Sequence, residues 1–282
     1  MHVRRYLDSL VFLERAESFL LHAEAENQVM LSIRGLPGTR PPVFGENCYL
    51  ATVEDGCDVV ACAVRTPPFG VLISRAQQPA LRALVDDLAG KYRTLPAVLG
   101  PEPAVSAFAR RWSDRVGAPV RLRMRQRLFE IRQVQPIATR PPGALRLADE
   151  ADLPVLAQWA EAFHLEARVP APIDPRRQMA DKVVGRSVYL WDNRGMVSMA
   201  GWASRTRRGV RIGFVYTPPD HRGRGYASAC VADLTQRLLD EGHAFCCIST
   251  DLANPTSNKI YQDIGYQAVC DVSDFDLNAP QT

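Results

Sequence analysis

Apolar positions recur along the chain in two rhythms. Short runs rich in Val, Ile, Leu, Phe and Tyr predict strands, and stretches with apolar residues three and four apart predict helices. In the second half the strand 144–147 is followed by a helix over 153–168, where Leu153, Leu156, Trp159, Ala160 and Phe163 share a face. A proline-rich break at 170–175 precedes a second helix that ends near Arg186. Strands follow at 187–191, 196–203 and 210–216, joined by Asp192-Asn193-Arg194-Gly195 and Arg207-Arg208-Gly209. A helix over 225–240, a buried strand 245–250, a helix 256–264 and a strand 266–271 complete the order β-α-α-β-β-β-α-β-α-β.

The first half gives nearly the same order. Two helical patterns span 10–33 and a Pro/Gly loop spans 35–42. Strands follow at 48–53, 59–65 and 71–73, then a helix 79–91, a strand 97–99, a helix 104–116 and a long strand 120–131. Only the opening strand of the second half lacks a counterpart. The pattern predicts an internal repeat of architecture without evident sequence identity. Residues 135–143, rich in Pro and devoid of pattern, are the expected linker between domains 1–134 and 144–282.

Composition narrows the classes. Of 282 residues, 46% are apolar and 23% charged, which suits globular domains with full cores. No stretch approaches the roughly 18 apolar residues of a membrane span. The N-terminus has no apolar leader segment, so a cytoplasmic location is expected. Net charge is +3, with 19 basic against 14 acidic residues up to position 143 and 15 against 17 after it. That balance argues against nucleic acid as a partner. Arg121, Arg123, Arg125 and Arg127 alternate along one predicted strand and share a face. A solvated sheet face is expected there, with a basic stripe for a polyanion as the alternative. The seven cysteines form no CxxC pair and no zinc-ligand spacing, so reduced thiols and no metal are expected.

The chemistry concentrates in Val215-Tyr216-Thr217-Pro218-Pro219-Asp220-His221-Arg222-Gly223-Arg224-Gly225-Tyr226-Ala227. A strand ends and a helix begins around two glycines. Backbone N–H groups at a helix start, reached over glycine, suit a phosphate or pyrophosphate. The stretch is neither a P-loop nor a dinucleotide fingerprint.

Arg222-x-x-Gly225-x-Ala227, after a strand and Pro219, resembles the acetyl-CoA pyrophosphate loop of the GNAT acyltransferase superfamily. Asn254, Tyr261 seven residues on, and then Gly265-Tyr266 resemble that family's second signature. The resemblance covers residues 144–277. It implies an α/β (α+β) fold, a mixed and mostly antiparallel central sheet flanked by helices. The repeat extends that fold to both domains. The resemblance also implies acetyl-CoA as cosubstrate and an amine as acceptor. Pantetheine would lie between the strands ending at Thr217 and Thr250, near main-chain groups of Val215, Tyr216 and Thr217. Amides of Arg222, Gly223, Arg224, Gly225, Tyr226 and Ala227 would take the pyrophosphate. Asn254 and Asn258 would face the cofactor arm, and Tyr261 would protonate the leaving thiolate, with a core tyrosine as the plainer alternative.

Relatives often carry a Glu on the strand before the loop, whereas residues 210–215 hold no carboxylate. Glu161, His164, Glu166, Asp220 and His221 are the candidate bases, and water or an amine arriving deprotonated would also serve. The first half has no glycine over 71–89, and Ala109 or Ser113 falls where Tyr261 would. It is therefore expected to be a degenerate copy without a cofactor site. The sequence thus points to an N-acetyltransferase with one cofactor site. A non-catalytic acyl-CoA-binding module is the alternative.

Overall fold

The computed structural model describes residues 1–34, 48–168 and 174–278. The expected loop at 35–42 lies outside the described residues, as does most of the break at 170–175. The chain divides into two compact units. One is Met1–Leu128 together with Val269–Thr282, and the other is Phe129–Ala268.

The first unit contains β1 (His2–Tyr6), α1 (Ser9–Leu21), α2 (Gln28–Leu31), β2 (Tyr49–Asp55), β3 (Asp58–Arg65), β4 (Val71–Ile73), α3 (Gln78–Lys91), β5 (Ala97–Pro101), α4 (Ala104–Val116) and most of β6 (Arg121–Ile131). The opening strand missing from the sequence pattern is present: β1 pairs antiparallel with β2, Tyr6 opposite Leu50. Both halves therefore show the same order of strands and helices. Along β2, Tyr49, Ala51 and Val53 pack with Leu81, Leu84, Phe108 and Trp112 of α3 and α4. Leu50 packs with Phe12, Leu13 and Leu20 of α1. Strand alternation thus feeds a helical layer on each face.

The second unit contains β7 (Ala144–Leu147), α5 (Leu153–Ala167), α6 (Pro175–Val184), β8 (Val188–Asp192), β9 (Met196–Arg205), β10 (Gly209–Tyr216), α7 (Tyr226–Asp240), β11 (Phe245–Asp251), α8 (Pro255–Ile264) and the start of β12 (Gln267–Asp276). Its strand order is β7-β8-β9-β10-β11, with the end of β6 beyond β11. Pairing is antiparallel from β7 to β10 and parallel between β10 and β11. Helices α7 and α8 contribute to one core cluster and α5 and α6 to another.

The two compact units divide inside β6, ahead of the linker expected at 135–143. Residues 132–143 are irregular, but they are tied into the second unit. Gln135 N donates to Ile264 O at 2.8 Å, and Trp191 Nε1 donates to Pro142 O at 3.0 Å. The last strand also changes unit: Val272–Asp276 pairs antiparallel with β5 of the first unit, Val272 opposite Pro101. Local pattern identifies strands but not their partners, which accounts for both differences.

That exchange explains the arginine stripe. Arg127 bonds Asp271 at 2.7 Å, Arg123 Nε bonds Asp274 at 3.0 Å, and Arg121 lies 3.7 Å from Asp276. Three of the four arginines face aspartates of β12.

In the second unit Arg146 grips Asp152 with two bonds of 2.7 and 2.8 Å and reaches Asp192 at 3.0 Å. The Arg146 guanidinium holds the Asp152 carboxyl below its ordinary value. Stabilisation of this kind is complete above the ordinary carboxylate range and lost as pH falls through the depressed value. Arg146→Ala should cost about 2 kcal/mol at neutral pH, for charge-assisted bonds on a half-buried pair. Denaturant unfolding at several pH values should show the difference from wild type shrinking in acid.

Candidate active site

Strands β10 and β11 pair only at Gly209–Phe245, Val210–Cys246 and Arg211–Cys247. Beyond Arg211 they part, and the edge of β10 that faces β11 has no ladder partner. β10 also slips against β9, with register shifts between Arg211 and Ile212 and between Gly213 and Tyr216. Phe214 sits in the left-handed region at φ 54°. The slip reverses the facing of side chains. Val210 and Ile212 pack with α7 and α8, whereas Phe214 and Tyr216 pack with α5 and α6. A bulge is the physical cause, since one extra residue shifts the alternation. The two partings leave Phe214 and Val215 without a ladder partner on either edge among the described residues.

The strand then enters the glycine loop. Gly223 and Gly225 both have left-handed backbone, φ 74° and 78°. A Cβ on Gly223 would meet nothing within 4 Å. Gly225 is the N-cap of α7 and offers no side chain to its first amides. In this unit α6 and α8 start under Asp174 and Asn254, and α5 continues from a turn capped by Asp149. Helix α7 starts bare, and its open N–H groups with the positive end of the helix dipole suit an anion. The residues present fit a pyrophosphate.

Other expected site residues prove to be engaged by the protein. Arg222 Nε donates to Thr217 O at 2.9 Å, and its Nη2 reaches both carboxylate oxygens of Glu166 at 2.9 and 2.8 Å. Arg222 is therefore a clamp between the loop and the end of α5, with one lone pair of the Thr217 carbonyl engaged. Glu166 is likewise paired. Ser198 Oγ lies 3.1 Å from Tyr216 O and 2.9 Å from Thr217 Oγ1. Of the three expected main-chain partners, Val215 stays on the unpaired edge. The Tyr226 hydroxyl accepts from Asn193 at 2.9 Å. Arg224 is exposed.

Asn254 Oδ1 caps α8 by accepting from Ser257 N at 3.0 Å. Asn258 Nδ2 donates to Asp251 O at 2.8 Å and Asn254 O at 2.7 Å, fixing the start of α8 to the end of β11. Both act here as braces. Gly265, φ 107°, ends α8 where a Cβ would come 2.7 Å from Gln135 Cγ. It turns Tyr266 inward, where the hydroxyl meets Thr235 at 2.8 Å.

Tyr261 is 5% exposed, its ring against Phe129 and Tyr266. None of the described residues hydrogen-bonds its hydroxyl. Burial raises its phenol above the ordinary value, so it stays protonated over the range in which enzymes are assayed. Buried Cys246, its thiol pushed up to about 12 by desolvation, is a packing residue.

Sequence reasoning missed Lys182 and Phe214. Lys182 Nζ lies 4.5 Å from the centre of the Phe214 ring and donates to Trp202 O at 2.9 Å. The signal was available: Met179, Lys182 and Val183 fall at i, i+3 and i+4, placing a lysine on the buried face of α6. His164, a candidate base, is buried with Nε2 2.8 Å from Gln178 Oε1, and its Nδ1 has no partner among the described residues.

The first unit lacks these features. Residues 74–77 alone separate β4 from α3, against 217–225 in the second unit. A Cβ on Gly100 of β5 would lie 2.9 Å from Ile73 O, so the two strands stay in close contact there. Helix α4 carries Ala109 and Ser113 and no tyrosine.

Solved structures share this architecture. An acetyltransferase of the GNAT family from Colwellia psychrerythraea aligns over 98% of this chain and 100% of its own, with TM-score 0.58 and 11% identity. A Drosophila protein aligns over 99% of both chains, with TM-score 0.63 and 12% identity. The fold is that of the GNAT superfamily. A GCN5-related N-acetyltransferase from Sphaerobacter thermophilus, similar over 92% of this chain and 94% of its own, has TM-score 0.57 at 15% identity. The sequence profile of the FR47-like protein family matches residues 190–273, from within β8 to within β12. No curated protein matches the chain significantly. Among the described residues no helix is long and apolar enough to cross a membrane.

Proposed function

We propose that the chain transfers an acetyl group from acetyl-CoA to a primary amine, by direct attack in a ternary complex. The observation that carries this reading is the bare start of α7 behind Gly223 and Gly225, at the end of a strand that parts from its neighbour. Amides of residues 222–227 hold the pyrophosphate. The unpaired edge of β10 near Val215 holds the pantetheine. Tyr261 gives its proton to the leaving sulfur. Glu166, through Arg222, fixes the loop.

The first unit is a degenerate copy in this account. Its short β4–α3 passage and the close approach of Gly100 to Ile73 support that reading.

Thiol release from acetyl-CoA, measured across a panel of primary amines, tests the reading. Amine-dependent turnover is expected. Tight acetyl-CoA binding with no turnover for any amine would favour the non-catalytic module.

A further inference from the structure

We propose that Lys182 takes the proton that the acceptor amine gives up. The inference rests on the acetyl transfer proposed above. Strand β10 offers no carboxylate, and Glu166 is held by Arg222. Lys182 reaches the bulge from α6, its Nζ over the Phe214 ring and bonded to Trp202 O. Trp202 lies opposite Ile212, the first residue of β10 beyond its ladder with β11. The ammonium thus sits on the α5–α6 face of the sheet, beside the ring that the bulge turns to that face. An arm laid along the free edge from Thr217 back to Ile212 would span about 17 Å of strand and pass the bulge. Phe214 and Tyr216 turn toward α5 and α6 at this point, so an acceptor on that face would meet Lys182.

The surroundings suit the role. Desolvation alone lowers the Lys182 ammonium to about 8. On the elements packed around it, Glu166 is paired with Arg222, His164 with Gln178, and Asp192 with Arg146. Glu161 and Asp181 form no ion pair with it among the described residues. A cation without a counter-charge gives up its proton readily, and near pH 8 much of the Nζ is neutral.

The step balances. The neutral acceptor nitrogen attacks the thioester carbon, an N–C bond forms, and the nitrogen passes its excess proton to Nζ. The C–S bond breaks, and the sulfur leaves with the electron pair and takes a proton from Tyr261. Solvent carries the proton from Lys182 back to Tyr261, so amine and thioester become amide and thiol.

The chain has three lysines, Lys91, Lys182 and Lys259, so lysine labelled with carbon-13 gives three Cε signals. Lys182→Arg identifies its own by deletion. Its signal should titrate near pH 8, and acetyl-CoA should move it more than CoA does. This titration uses the wild-type chain and does not depend on any variant folding. A midpoint above about 10, or no response to acetyl-CoA that calorimetry shows to be bound, overturns the proposal. Failure of acetyl-CoA to bind would instead overturn the proposed function. With an amine from the panel, kcat/KM should fall about tenfold per pH unit below 8. Lys182→Met and Lys182→Arg should each lose on the order of a hundredfold and lack that limb. Arginine cannot give up its proton, so full activity in Lys182→Arg would show that a fixed cation suffices and would contradict a base.

Discussion

Tyr261→Phe should lower kcat about a hundredfold and leave acetyl-CoA affinity within a few-fold. The change removes one hydroxyl and keeps the ring that packs on Phe129 and Tyr266, so the wall of the cleft survives. A thiol with pKa near ~8.5 is already a fair leaving group, which puts the loss at the low end for a positioned acid. Sequence alone suggests an alkaline limb from ionisation of this tyrosine. The structure removes that expectation, because burial raises the phenol and keeps it protonated. The wild-type pH profile should therefore show no falling limb from Tyr261. Steady-state kinetics with a competent amine decide the matter. An unchanged kcat would make Tyr261 a packing residue and assign the proton to water.

Gly225→Val should weaken acetyl-CoA binding more than a hundredfold, and Arg222→Ala less than about fivefold. Steric room is not the obstacle at Gly225, where a Cβ would touch Pro141 Cδ at an ordinary 3.7 Å. The obstacle is φ 78°, which a β-branched residue resists. Relief of that strain moves the start of α7 and scatters its amides. Two charge-assisted bonds lost at about 1.5–3 kcal/mol each account for the fall. Arg222 spends its guanidinium on Glu166 and Thr217 at an exposed position, and such pairs contribute about 1 kcal/mol or less. Gly56, φ 60° in the β2–β3 turn, provides the control. Gly56→Val carries similar strain far along the chain from the loop and should leave binding intact. Equal losses for Gly56→Val and Gly225→Val would point to general destabilisation.

Most elements were legible because their burial is periodic. Helix α4, with Val105, Phe108, Ala109 and Trp112 buried on one face, matches its expected bounds. Strand β1 was not legible, since only Val3 and Tyr6 are shielded in an edge strand with two arginines. The second half of β12 was missed for a related reason. Its sequence, Val272-Ser273-Asp274-Phe275-Asp276, carries charges whose partners are arginines about 150 positions away. The loop glycines were legible because a bare helix start leaves a sequence mark. The engagements of Arg222, Asn254 and Asn258 were not, because each depends on what the chain brings alongside. Asn254 before Pro255 is itself a helix-start pattern, and the structure uses it as one.

The central claim is a single acetyl-CoA site, in the cleft of the second unit. Isothermal titration of the wild-type chain with acetyl-CoA tests it most directly, with Gly225→Val run alongside. The account predicts a stoichiometry near one and its loss in Gly225→Val. Two equivalent sites, or a site that survives Gly225→Val unchanged, would contradict it.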